Sequence, residues 1–117
     1  MIRIPECNRF EFRLPDGAVN PYLLQAAVIG AGLGGHLRGA TPPPRQDGNF
    51  FVERPPPGVR SLPSCLLDAV RALRADGHLR AALGDDLVDS FADVSMAAWD
   101  AHQGHVSEFE RAATLDV

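Results

Sequence analysis

The strictest constraint on this chain is the run Arg9-Phe10-Glu11-Phe12-Arg13-Leu14, closed by Pro15-Asp16-Gly17 and followed by Asn20-Pro21-Tyr22. Its period of two demands an extended strand, with Arg9, Glu11 and Arg13 on one face and Phe10, Phe12 and Leu14 on the other. Pro-Asp-Gly is turn chemistry and stops the strand. Asn20 then offers a side-chain oxygen as N-cap, and Pro21 is preset for the first helical position. Two readings of the polar face stay open on alternation alone. One is a ladder of charges on the wet side of a half-buried sheet. The other is a carboxylate held between two guanidinium groups, a setting suited to phosphate, a metal ion or an anionic substrate.

The neighbouring segments extend the pattern. Met1 to Ile4 reads as a second short strand, joined to the first by a Pro5–Asn8 turn. The helix from Pro21 to Leu37 is apolar nearly all round, the mark of a buried helix. Its glycines, Gly30, Gly32, Gly34 and Gly35, imply close approach to a neighbour or an end to the helix. Between residues 39 and 63, Pro42-Pro43-Pro44 and Pro55-Pro56-Pro57 bracket Asn49-Phe50-Phe51-Val52, giving a stiff, irregular loop with an aromatic tip. A structural excursion is favoured here over a ligand for an adaptor module. Ser64 is expected to cap a helix running to about Ala75, with a short turn from Asp76 to Gly84 after it.

The helix expected from Asp85 to His102 is two-faced, with Leu87, Phe91, Val94 and Ala98 on one side. Asp85, Asp86, Asp89, Asp93 and Asp100 fall on the other, most simply a solvated stripe rather than a metal site. Ser107-Glu108-Phe109-Glu110 has the form of a capping box and starts a last short helix. The sum is an α+β chain, a short N-terminal strand pair followed by about four to five helices and a Pro-rich loop. It divides into strands and buried helix (1–38), Pro-rich loop (39–63) and helical C-terminal part (64–117).

Composition narrows the function. A chain of 117 residues is one small domain or a piece of a larger one, and its 45% apolar content is globular. The net charge of −4 and pI near 5.4 give no basic footprint for nucleic acid. All eleven basic residues are arginine, so Schiff-base and P-loop lysine chemistry is excluded for these residues. Cys7 and Cys65 are far apart and unpatterned, as in a reducing compartment. The start lacks the apolar core of a signal peptide, and Tyr22–Leu37 falls short of a membrane span. A soluble, cytoplasmic protein without a membrane partner is expected.

Two apparent motifs fail. Gly30-Ala31-Gly32-Leu33-Gly34-Gly35 matches the dinucleotide fingerprint in letters, but that fingerprint needs a strand before the glycines and a full helix after them. Here a helix-opening Asn-Pro precedes them and Pro42 follows soon after, which leaves dinucleotide binding a distant alternative. His102 and His105 could share a helix face but lack a third ligand, while His36 and His78 are isolated, so a structural or surface role rather than a zinc site is expected for all four.

Taken together, Ile2-Arg3-Ile4-Pro5, Arg9-Phe10-Glu11-Phe12-Arg13, Pro15-Asp16, Asn20-Pro21-Tyr22-Leu23 and Ala31-Gly32-Leu33 resemble the C-terminal part of the glutamine synthetase catalytic domain. Leu62-Pro63 before Leu66-Leu67-Asp68-Ala69, then Leu79 to Gly84, and Trp99 through Arg111 to Leu115-Asp116 are similar as well. The likeness is nearest to the bacterial branch joining glutamate to ammonia or to small amines such as methylamine. It implies ATP-dependent phosphorylation of the glutamate γ-carboxylate, followed by displacement of phosphate by the amine. Glu11 then matches a ligand of Mg²⁺ or Mn²⁺ beside the nucleotide phosphates. Arg13 matches the contact to glutamate and the transferring phosphoryl group, and Arg9 an arginine beside the nucleotide. Phosphoryl transfer is mostly positioning plus electrostatics, which suits this set.

The resemblance also marks departures. The family's other metal-holding glutamates, its histidine-bearing loop and the main ATP contacts fall outside the matching segments, so the 117 residues alone are expected to be inactive. Phe51 stands nearest the tyrosine that is nucleotidylated in regulated relatives, and it has no hydroxyl to modify. The full-length family implies a homo-oligomer, with Trp99 and Phe109 as subunit contacts. The alternative to a ligase part is a catalytically dead remnant that acts only in subunit association.

Overall fold

A computed structural model describes residues 2–49, 52–54, 56–59 and 61–114. The chain opens with an antiparallel hairpin, β1 (Ile2–Glu6) and β2 (Arg9–Phe12), in which Arg3 sits opposite Glu11 and Glu6 opposite Arg9. The expected turn is tighter than Pro5–Asn8. Pro5 is absorbed into β1, where the register shifts between Arg3 and Glu6, a place that tolerates a missing N–H. The chain reverses at Cys7-Asn8, with Asn8 in the left-handed region at φ 61°, which asparagine tolerates better than most residues.

Beyond β2, the Asp16 carboxylate accepts the Ala18 amide at 2.6 Å and turns the chain toward the first helix. Helix α1 (Pro21–Leu37) begins where expected, the Asn20 side chain accepting from the Tyr22 and Leu23 amides at 3.0 and 3.3 Å. It ends in a Schellman motif. Gly39 takes φ +62°, its amide donates to His36 and the Ala40 amide donates back to Gly35. The Gly30–Gly35 run therefore lies inside a helix, where it cannot cradle a pyrophosphate. The described part of 40–63 is irregular, as the prolines require. Phe51 lies outside the described residues.

Helices α2 (Leu66–Ala75), α3 (Gly77–Leu83), α4 (Asp85–Gln103) and α5 (Glu108–Thr114) follow. Ser64 does not cap α2. Cys65 holds the cap position, while the Ser64 hydroxyl pairs with the Asp68 side chain at 3.3 Å. The expected turn at 76–84 is a helix of its own, because Asp76 accepts from both the His78 and Leu79 amides at 3.0 Å. Ser107 and Glu110 form the capping box as expected: the Ser107 amide donates to the Glu110 carboxylate at 2.8 Å, and the Glu110 amide donates to the Ser107 hydroxyl at 3.2 Å. Those bonds hold the Glu110 carboxyl below its ordinary range, the backbone contact contributing most.

Helix α4 is rotated by about one residue from the expected face. Its buried positions are Val88 and Ala92, packed where α4 meets α2 and its buried Val70. Leu87, Phe91 and Val94 are exposed instead. Charge selects this rotation. Asp89 takes both guanidinium nitrogens of Arg80 at 2.7 and 3.0 Å, Asp85 meets Arg80 at 2.7 Å, and Asp93 meets Arg74 at 2.6 Å. Asp85, Asp89 and Asp93 of the stripe are exposed but engaged, strapping α3 and α2 to α4. Arg80 is raised further above its ordinary value, chiefly by the hydrogen bonds it donates to Asp89, and Asp89 is correspondingly lowered.

Helix α1 packs on α3, with Gly30 lying so close that an added Cβ would stand 3.0 Å from the Ala82 Cβ. This is the close approach its glycines implied. The rest of α1 departs from expectation, because it has no buried residue in this chain and Ile29 and Leu33 are 60% and 58% exposed. Its apolar circumference exceeds what one seven-residue helix can cover. The chain is correspondingly open. Its radius of gyration is 18.1 Å, against about 13 Å for a compact domain of this length.

Two outcomes follow for stability. Gly32 has nothing within 4 Å of a built Cβ, so Gly32→Ala should stabilise α1 by about 0.5–1 kcal/mol. Gly30→Leu should instead destabilise by about 1–3 kcal/mol through overpacking against Ala82, both read by urea unfolding followed by circular dichroism. The Asp89 carboxyl is depressed below its ordinary 3.8, so the clamp contributes fully above pH 3.8 and is lost as pH falls through the lowered value. Asp89→Asn should therefore melt below the parent at neutral pH, with the gap closing in acid when both are followed by thermal circular dichroism.

Candidate functional site

The site strand gains its polarity from hairpin register as well as from its own alternation. Because Arg3 stands opposite Glu11, its guanidinium reaches one Glu11 oxygen at 3.3 Å. Arg9 meets the other Glu11 oxygen at 3.9 Å and also holds Glu6 at 3.1 Å. Glu11 is half-buried, its side chain 31% exposed, while both arginines are about twice as open.

The carboxylate does sit between two guanidinium groups, but the pair is Arg3 and Arg9 rather than Arg9 and Arg13. Strand β2 ends at Phe12, so Arg13 falls on irregular backbone, exposed and with no hydrogen bond or ion pair among the described residues. Arg3 was missed because same-strand alternation shows only one strand's neighbours. The two-residue turn alone would put Ile4 opposite Glu11, and it is the register shift between Arg3 and Glu6 that brings Arg3 there instead.

The greasy face is only partly covered. Phe10 is 60% exposed, whereas Phe12 and Leu14 turn toward α1 and, with Pro15, line open apolar grooves of about 360 and 340 Å³ against Leu24 and Val28. Those grooves contain no convergent polar groups and lie on the opposite side of the strand from Glu11.

The donor chemistry suits a hard divalent cation. Mg²⁺ is commonly held by one or two carboxylates, substrate phosphates and water, and Glu11 fits the place of one such ligand. Its present partners are long, exposed side chains, so their release costs little. Among the described residues no three His, Cys, Asp or Glu groups converge to hold a metal ion. The four histidines are exposed, and Cys7 and Cys65 are unpaired thiols. Among the described residues no helix is long and apolar enough to cross a membrane.

A half-buried carboxylate between two arginines, set on a strand that hands over to an Asn-Pro-capped helix, defines a class that comparison identifies. Residues 1–114 match the family described as glutamine synthetase, catalytic domain, and the chain belongs to it. Glutamine synthetase of Rhizobium leguminosarum bv. phaseoli is 43% identical over 118 positions, which cover all of this chain and 27% of that protein. Glutamate–methylamine ligase of Methyloversatilis universalis is 38% identical, over 94% of this chain and 25% of its own length. The solved structure of GmaS without ligand superposes on the whole chain with TM-score 0.92 at 45% identity, over 28% of that chain. A GmaS/ADP complex matches with TM-score 0.91. The chain thus spans about a quarter of the length of these relatives.

The cross-strand geometry makes a direct check possible. Arg3→Gln should move the Glu11 side-chain carboxyl resonance in a ¹³C spectrum, and Arg13→Gln should leave it in place. Equal responses to the two substitutions would contradict the register.

Proposed function

We propose that this chain is the part of a glutamate ligase that contributes one wall of the phosphoryl-transfer site. The ligase joins the glutamate γ-carboxylate to ammonia or a small amine with consumption of ATP. The observation that carries this reading is Glu11, half-buried on β2 with Arg3 and Arg9 against its two oxygens, in a segment 45% identical to GmaS. In this reading Glu11 holds Mg²⁺ or Mn²⁺, Arg9 lies beside the nucleotide, and Arg13 engages the glutamate and the transferring phosphoryl group. The cation, when bound, neutralises charge on the nucleotide phosphates.

The residues then have separable tasks. Arg13, unpaired among the described residues, is free to fork onto a carboxylate or phosphate. Arg9 leaves Glu6 and Glu11 for the nucleotide without a large penalty, because those pairs are exposed. Transfer of the γ-phosphoryl group to the substrate carboxylate releases ADP. Attack of the amine on the acyl phosphate then forms the amide, with loss of phosphate and a proton.

Subunit association without catalysis is the second reading. It draws on exposed Phe109 and Val94, although Trp99, the other contact expected for it, is half-buried.

The test places these 117 residues behind the preceding part of the Rhizobium leguminosarum enzyme as one fusion. Glu11→Gln should lower metal-dependent amide formation by at least about 100-fold. Arg13→Gln should do so by a similar factor, with KM for glutamate raised. Unchanged rates and metal affinity in the Glu11 variant would leave only the association reading. The 117 residues by themselves should show no ATP-dependent γ-glutamyl transfer, since one carboxylate does not complete the site.

A further inference from the structure

Three Asp-Gly steps punctuate the chain, Asp16-Gly17, Asp47-Gly48 and Asp76-Gly77. Such a step has a chemistry of its own. Glycine leaves the amide nitrogen that follows the aspartate uncrowded and the backbone free to turn. That nitrogen can then reach the side-chain carboxyl carbon and close a five-membered ring. Closure requires the aspartate side chain and backbone to rotate together, out of any hydrogen bonds that hold them. The fold holds two of the three steps and leaves one loose.

Asp76 is the most firmly held. Its carboxylate accepts from the His78 and Leu79 amides at 3.0 Å, its carbonyl accepts from the Arg80 amide at 3.0 Å, and Gly77 is already the first residue of α3. Asp16 sits in a turn, where its side chain accepts the Ala18 amide at 2.6 Å and its carbonyl accepts the Val19 amide at 3.3 Å. Asp47 has no such bonds. Its carboxylate meets only the Arg45 guanidinium, at 2.6 Å, and the two side chains are 72% and 87% exposed. An ion pair this open is readily broken. Among the described residues no backbone amide from 41 to 48 donates a hydrogen bond, so nothing resists rotation about the Asp47-Gly48 step.

We propose that Asp47-Gly48 is a self-modification site at which aspartate isomerises to isoaspartate, and that the hydrogen bonds at Asp16 and Asp76 confine the reaction to it. The Gly48 nitrogen attacks the Asp47 carboxyl carbon. A carbon–nitrogen bond forms, a side-chain carbon–oxygen bond breaks, and the amide proton leaves with the hydroxyl as water, giving a succinimide. Water then opens the ring on either side. Cleavage between the nitrogen and the side-chain carbonyl carbon restores aspartate. Cleavage between the nitrogen and the main-chain carbonyl carbon leaves isoaspartate, with the chain running through the former side chain and a free α-carboxylate beside it. One water leaves and one returns, so mass is unchanged and no other reagent is consumed. The site is independent of the proposed ligase chemistry and stands whatever Glu11 binds.

The test ages the 117-residue chain at neutral pH and 37 °C, then reads each Asp-Gly step by peptide mapping with electron-transfer fragmentation, which separates the two isomers. Methylation by an isoaspartyl carboxyl methyltransferase counts the product independently. Isoaspartate should accumulate at Asp47 about fivefold or more faster than at Asp16 or Asp76, the ratio set by the bonds those two must break. In denaturing guanidinium chloride the three rates should converge. Gly48→Ala should slow the reaction at Asp47 and leave the other two steps unchanged.

Equal rates in the folded chain would overturn the assignment, as would a lead for Asp16 or Asp76 or a lack of isoaspartate at Asp47. A lead for Asp47 that persists undiminished in denaturant would overturn it as well, because neighbouring residues rather than the fold would then select the site.

Discussion

The packing of α2 on α4, with Val70, Val88 and Ala92 buried there, is the anchor on which α3 and, through it, α1 are positioned. Helix α3 is held to this pair mainly by Arg80, whose planar fork meets Asp89 through two nitrogens and Asp85 through one. Helix α1 rests on α3 at the Gly30–Ala82 approach. The arrangement of these helices is serial. The hairpin that carries Glu11 faces α1 across open grooves lined by Phe12, Leu14 and Pro15 rather than through a packed contact, so its place is the least determined in the chain.

Much of this architecture was legible because it is written in short-range chemistry. Asn20-Pro21 fixes the start of α1 by satisfying two orphan amides, and Ser107 with Glu110 does the same for α5. Alternation located β2, though it ran two residues too far because Arg13 and Leu14 follow the pattern while their backbone is already turning toward Asp16. The errors share one physical cause, which is that a pattern names a face without naming its partner. The apolar residues of α4 fit two adjacent stripes, and cross-helix pairs from Asp89 and Asp93 to Arg80 and Arg74 selected the one centred on Val88 and Ala92. The role of Arg3 was hidden for the same reason, since its contact to Glu11 exists only across the hairpin.

The absence of lysine gives these contacts their form. An ammonium would supply a point charge to either Asp85 or Asp89, whereas the Arg80 guanidinium spans both with in-plane donors. The same property serves the polar strand face. Arg9 bridges Glu6 and Glu11 in the free hairpin, and the fork that does so is also the group best shaped to take a phosphate. Ion pairing here stores the arginines near their proposed ligands rather than adding much stability, because both partners remain exposed.

Exposure also bears on the chemistry proposed for the strand. With water on both sides of β2, attraction between Arg13 or Glu11 and a phosphate-bound cation is screened and the side chains are free to wander. Preorganised charge in a partly desolvated wall is what phosphoryl transfer draws on. In the proposed reading, the exposure of the polar strand face therefore limits what these residues achieve alone, because a screened set of Glu11, Arg9 and Arg13 is not preorganised.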